Sequence, residues 1–171
     1  IGDHVVRLRD QQRQRVRMSE IFVDVSRDAT KELTHPLDGL DRHVVRGSTL
    51  LVYHVGQTSR CAPFLLQRPE PLALLFHNFT PVTLLAGWDP SAACDLLDAE
   101  RQLADLAAVA TIGIACSNYS TERLEDHGLL DTHVACIPVA LPASVDRLPA
   151  QRPTVLFVGR VAPNKGFHDL V

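Results

Sequence analysis

Aromatic side chains make up only 5% of this 171-residue sequence, which also holds a single Met and a single Trp. With so few rings and no basic patch interleaved with them, a base-stacking nucleic-acid surface is excluded, and a net charge of −3 argues the same way. No apolar run approaches the ~20 residues of a membrane-spanning helix, and no secretory leader pattern opens the chain. Cys61, Cys94, Cys116 and Cys136 include no Cys-x-x-Cys pair. They read as reduced thiols of a cytoplasmic protein, with Cys116 and Cys136 as core residues of strands.

Several chemical signatures are missing as well. There is no Gly-x-Gly-x-x-Gly and no Walker-type glycine-lysine loop, so the usual dinucleotide and nucleoside-triphosphate fingerprints are unsupported. The eight histidines stand at no ligand spacing from one another or from cysteine, which argues against zinc; no metal site and no cofactor is expected. Asp95 with Asp98, and Glu122 with Glu125, fall on helix surfaces and read as solvated charge rather than acid/base pairs.

What is present is the composition of a soluble globular chain, 46% hydrophobic and 22% charged. A basic stretch ending near Arg17 reads as a helix with a loose apolar stripe, and Ser19 to Val25 as a short strand. Residues 26–47 are polar and turn-rich, with no firm element beyond a short helix. Ser48 to Tyr53 and Leu72 to Phe76 are apolar runs of the kind a parallel strand buried on both faces shows. Each ends in a histidine, His54 and His77, at the edge where open α/β sheets bind ligands.

Asp89-Pro90 signals a helix start, and Leu96, Leu103, Leu106 and Ala110 recur at helical spacing to about Val109. Ile112 to Cys116 reads as a strand. Ser117-Asn118 then opens a helix that stops at His127-Gly128. Ser117 reads as a cap, since no Gly-x-Ser-x-Gly elbow surrounds it. His133 to Pro138 is the last strand before a proline-rich linker. Beyond it, Val155 to Val158 reads as a strand running into a loop with Arg160, Asn164, Lys165 and Gly166, after which a helix begins. Two cations beside helix-N-terminal amides suit a phosphate or diphosphate.

The string GRVAPNKG at 159–166 resembles the donor-binding loop of the family-four retaining glycosyltransferases. LLVYHVGQTS and LLFHNFTP are similar to paired segments of a bacterial branch of those enzymes, and ACSNYSTERLEDHG resembles a further family segment. The resemblance implies a GT-B fold. Residues 1–140 would be an N-terminal, Rossmann-like parallel-sheet domain on the acceptor side, without its first strand. Residues 141–153 would be the linker, and 154–171 the first strand-loop-helix of the nucleotide-sugar domain. The chain would thus be cut at both ends.

It further implies transfer of a sugar from a nucleotide-diphosphate sugar to a glycan, lipid-linked or small-molecule acceptor. Arg160 and Lys165 would hold the donor diphosphate, with Gly2 on a glycine loop facing the cleft. His77 would be the catalytic-site histidine, with His54 and Asn78 as acceptor-side candidates. A glutamate pair of that family would lie beyond Val171, so the 171 residues alone are expected to be inactive. The expected location is cytoplasmic, and the arginines of the first helix leave peripheral association with the inner membrane face open. Two other readings stay open: a non-catalytic two-lobed α/β module that binds a phosphorylated small molecule, and a GT-B nucleotide-sugar epimerase.

Overall fold

The computed structural model describes residues 2–16, 18–24, 28–136, 155–159, 161–162 and 165–169. In chain order these form helix α1 (Gly2–Gln12), strands β1 (Phe22–Val23) and β2 (His35–Pro36), strand β3 (Leu51–Val55), helix α2 (Cys61–Leu65) and strand β4 (Leu72–Phe76). Helix α3 (Pro90–Val109), strand β5 (Ile112–Ala115), helix α4 (Asn118–Asp126) and strand β6 (Thr132–Val134) follow, with short 3-10 turns between several of them. The proline-rich segment 141–153 and Pro138 lie outside the described residues.

The centre is a four-stranded, all-parallel sheet in the order β3-β4-β5-β6. A separate parallel pair joins β1 to β2. Each strand of the large sheet lies beside its predecessor, so right-handed crossovers place α2, α3 and α4 on one face. The packing agrees. Leu51 and Val55 of β3, Leu72, Leu74 and Phe76 of β4, and Ala115 of β5 share one core with Ala62, Leu65, Leu103, Leu106 and Leu124 of the helices. Leu74, Leu103, Leu106 and Leu124 are fully buried, and each contributes roughly 1.5–3 kcal/mol by leaving water. The opposite face carries Val52, Ala73, Leu75, Ile112 and Ile114, none of them in that core.

Local chemistry sets the boundaries. The Asp89 carboxylate accepts from the Ala92 N–H at 3.0 Å with Pro90 at the first helical position, and α3 runs from there to an extended Ala110. Ser117 caps α4 by accepting from Ser120 N–H at 3.3 Å. At the other end Gly128 takes φ +88°, Leu129 N–H reaches Leu124 O at 3.1 Å and Gly128 N–H reaches Glu125 O at 2.8 Å. That pair of bonds is a Schellman ending, and it needs the glycine.

Several expectations are corrected. The first helix ends at Gln12 rather than near Arg17. Within that basic stretch Arg9 donates to Asp10 and to Leu33 O, and Arg13, just past the helix, donates to Ser19 O and Glu20. The strand expected from Ser19 shrinks to Phe22–Val23, and the next begins at Leu51, because Thr49 Oγ1 and Ser48 N–H are tied into a turn with Val45. The sulfur-bearing positions move out of the core: β5 and β6 end at Ala115 and Val134, leaving Cys116 half-buried and Cys136 exposed. Finally, Val155 to Val158 form no strand; Val155, Leu156 and Val158 are 85%, 80% and 85% exposed. A strand is stable only when a neighbour takes its hydrogen bonds, and no described residue pairs with this run.

Candidate functional site at the carboxyl edge of the parallel sheet

Successive residues of a strand face opposite sides. In β3 this puts Val52 and His54 on the face away from the helices. In β4 it puts Ala73 and Leu75 there, and His77 next, one residue past the strand end. The register pairs Val55 with Phe76, and His77 N–H continues the ladder by donating to Val55 O at 2.8 Å. The two histidines therefore meet. His54 Nδ1 lies 3.0 Å from His77 Nε2, and the rings are 19° from parallel with centroids 5.3 Å apart. Both side chains are half-buried.

The chain around this pair is fixed from both sides. After His77, Asn78 adopts φ +67°, a left-handed conformation that asparagine tolerates better than most residues. Its Oδ1 accepts from the Phe79 N–H at 2.9 Å, and Phe79 is buried with its ring edge-on to Phe76 at 5.0 Å. The loop after β3 is held by α3: Gln102 Oε1 accepts from the Ser59 N–H at 2.9 Å, and Ser59 Oγ accepts from the Cys61 N–H at 3.0 Å. Tyr53, between His54 and Val52, faces the helices instead, and burial pushes its phenol above the ordinary value.

Such an edge can accept and donate hydrogen bonds to a polyhydroxylated ligand. It offers two imidazoles and an amide-bearing turn, backed by apolar sheet. It lies beyond the carboxyl ends of parallel strands, where open α/β sheets place their ligands. Among the described residues no group of three or more His, Cys, Asp or Glu side chains could hold a metal ion. No helix among them is long and apolar enough to cross a membrane.

The remaining expected residues are distributed as follows. Gly2 is the first residue of α1. Lys165 is exposed, its backbone N–H bonded to Ala162 O at 2.9 Å, and Gly166 takes φ +63° where a Cβ would stand 3.1 Å from Asp169 Oδ2. The expected helix after the loop is a 3-10 turn, Phe167–Asp169. Arg160 lies outside the described residues. The structure thus brings together His54, His77 and Asn78. Sequence reading missed two features. One is the direct contact of the histidines, for which the period-two alternation of two neighbouring strands was the available signal. The other is Gln102, whose role depends on α3 crossing the loop after β3 and left no local mark. No family model matches the chain, and neither a curated protein nor a solved structure matches it.

Proposed function

We propose that this chain supplies the acceptor-side domain of a retaining, GT-B-type glycosyltransferase and the beginning of its donor domain. The observation that carries the reading is the pairing of His54 with His77, followed by a strained Asn78, at the carboxyl edge of a parallel sheet. Backbone strain of this kind persists where surrounding structure over-determines it, and it concentrates at functional sites. His77 orients the acceptor hydroxyl or contacts the transferred sugar, and Asn78 holds the turn that presents it.

In that reaction the bond between the sugar and the nucleotide diphosphate breaks. Negative charge grows on the departing diphosphate and positive charge on the sugar. Arg160 and Lys165 are the cations assigned to the diphosphate; each contact that tightens by about 1.4 kcal/mol in the transition state raises the rate about tenfold. The substrates are a nucleotide-sugar donor and a glycan, lipid-linked or small-molecule acceptor. No resident cofactor is assigned, because the cationic side chains take the place of a metal at the diphosphate. The site of action is the cytoplasm.

The test is sugar transfer by the full-length enzyme from a panel of nucleotide-diphosphate sugars, followed by mass spectrometry of the acceptor. Transfer with retained anomeric configuration supports the reading. Tight binding of a phosphorylated small molecule with no transfer from any donor contradicts it and favours a binding module.

A further inference from the structure

Strands β5 and β6 run parallel with Ala115 opposite Val134, and the Ala135 N–H extends the ladder by donating to Ala115 O at 2.8 Å. Cys116 therefore stands one residue beyond the last paired position of β5, and Cys136 two beyond that of β6. Continued register sets the two cysteines one step out of line on neighbouring strands. Parallel strands lie about 4.8 Å apart and rise about 3.3 Å per residue, which puts such Cα atoms roughly 6 Å apart, within the ~4.4–6.8 Å that a disulfide spans. The Cys136 side chain leans across this gap, its thiol donating to Cys116 O at 3.7 Å. Both thiols are free, with Cys136 exposed and Cys116 half-buried.

Alternation along intact strands would turn the two side chains to opposite faces. Neither position is bound by it. Both lie past the strand ends, and the backbone bends at Cys116 into the helix that Ser117 caps.

We infer that Cys116 and Cys136 are a redox pair, a modification site at which a low-molecular-weight disulfide such as oxidised glutathione closes a reversible Cys116–Cys136 bond. Exposure sets the order of events. The Cys136 thiolate attacks one sulfur of the small disulfide, whose S–S bond breaks; one small thiolate leaves, and Cys136 holds the other half as a mixed disulfide. The Cys116 thiolate then attacks the Cys136 sulfur and expels the second small thiolate. Together the two cysteines give up two electrons and two protons, and the small disulfide leaves as two thiols. In a reducing compartment such bonds, where they occur, are usually transient and redox-sensing rather than structural.

The position gives the bond a consequence. Strand β5 lies beside β4, so the bond would tie the chain at Cys136 to the same carboxyl edge that presents His77. Cys61 opens α2 and Cys94 lies in α3, so the other two cysteines belong to different elements and serve as internal controls. This chemistry is independent of sugar transfer.

The test incubates the full-length, folded protein with oxidised glutathione, blocks the remaining thiols and reads a non-reducing tryptic digest by mass spectrometry. Cleavage after arginine places Cys116 in peptide 102–123 and Cys136 in peptide 124–147, with Cys61 and Cys94 in neither. The expected product is these two peptides joined, two hydrogens lighter than their sum, and parted again by dithiothreitol. Cys136→Ser should abolish the joined species, and Cys116→Ser should leave Cys136 carrying glutathione. Glutathione adducts with no joined peptides, a disulfide from either cysteine to Cys61 or Cys94, or joined peptides only after unfolding in urea would each overturn the inference. An unmodified Cys136 in Cys116→Ser contradicts the order of attack. Should a variant fail to fold, the wild-type digest decides the pairing alone, and no step of it depends on the transfer assay.

Discussion

A Cβ built on Gly113 stands 2.8 Å from Leu124 Cδ1, closer than real Cβ atoms approach. It would also meet Leu129 Cδ2 at 2.9 Å and Thr132 Cγ2 at 3.3 Å, so three residues along the α4–β6 connection close over one strand position. Glycine in a strand interior ordinarily costs stability relative to alanine, by roughly 0.5–1 kcal/mol. Here the close approach of α4 to β5 reverses the sign. Gly113→Ala is expected to destabilise by about 1–3 kcal/mol, the usual range for overpacking a well-filled core. Thermal or denaturant unfolding checks this, and an unchanged or raised midpoint contradicts it.

Ser117 and Asp89 cap helices, and neither belongs to the candidate site. Each accepts a backbone N–H of the first turn, Ser120 and Ala92 respectively. Ser117→Ala and Asp89→Ala are each expected to lose about 1 kcal/mol of stability. Sugar transfer by Ser117→Ala should stay at the wild-type rate once the protein is folded. A transfer rate that collapses in that variant while unfolding is unaffected would make Ser117 part of the chemistry.

Arg68 binds Glu70 through Nε and Nη2, both at 2.9 Å, and reaches Asp41 at 2.5 Å. The guanidinium hydrogen-bonded to Glu70 holds that carboxyl below its ordinary value of 4.5. A carboxyl depressed on folding stabilises the native state above the unfolded-state value, and the contribution fades as pH falls through the folded-state value. Unfolding midpoints should therefore drop on acidification below about pH 4.5, and the part due to this group should disappear in Glu70→Gln. If the wild-type and Glu70→Gln midpoints fall in parallel over that interval, the pair contributes no pH dependence.

The sequence carried the core of the fold further than the edges of it. Leu72 to Phe76 was legible as a strand in its full length because a strand flanked on both sides by others is apolar throughout. Helix α3 was legible at both ends because Asp89, Pro90 and the Leu103–Leu106 spacing all state it locally. Val155 to Val158 shows the limit: β-formers announce a strand, but pairing with another segment makes one. Residues 28–42 formed two 3-10 turns around a two-residue strand, which no periodicity could reveal. At the candidate site, each histidine was visible at a strand end. Their 3.0 Å contact bridges 23 positions and follows from register, which single-strand patterns do not encode.

On the proposed glycosyltransferase reading, the cations and the histidines make separable predictions. Replacing Arg160 and Lys165 together by alanine should weaken nucleotide-sugar affinity at least about tenfold, equivalent to about 1.4 kcal/mol. Calorimetric titration with the donor reads this directly. Affinity equal to wild type in the double variant would remove both cations from the diphosphate site.

His77→Ala, assayed for donor binding and for transfer in the same preparation, bears most directly on the role assigned to the sheet edge. The expected result is donor affinity within about twofold of wild type, with transfer reduced by a factor of ~100 or more, the range typical for loss of a positioned acid-base group. A His77→Ala enzyme that binds donor and transfers sugar at the wild-type rate would contradict the account.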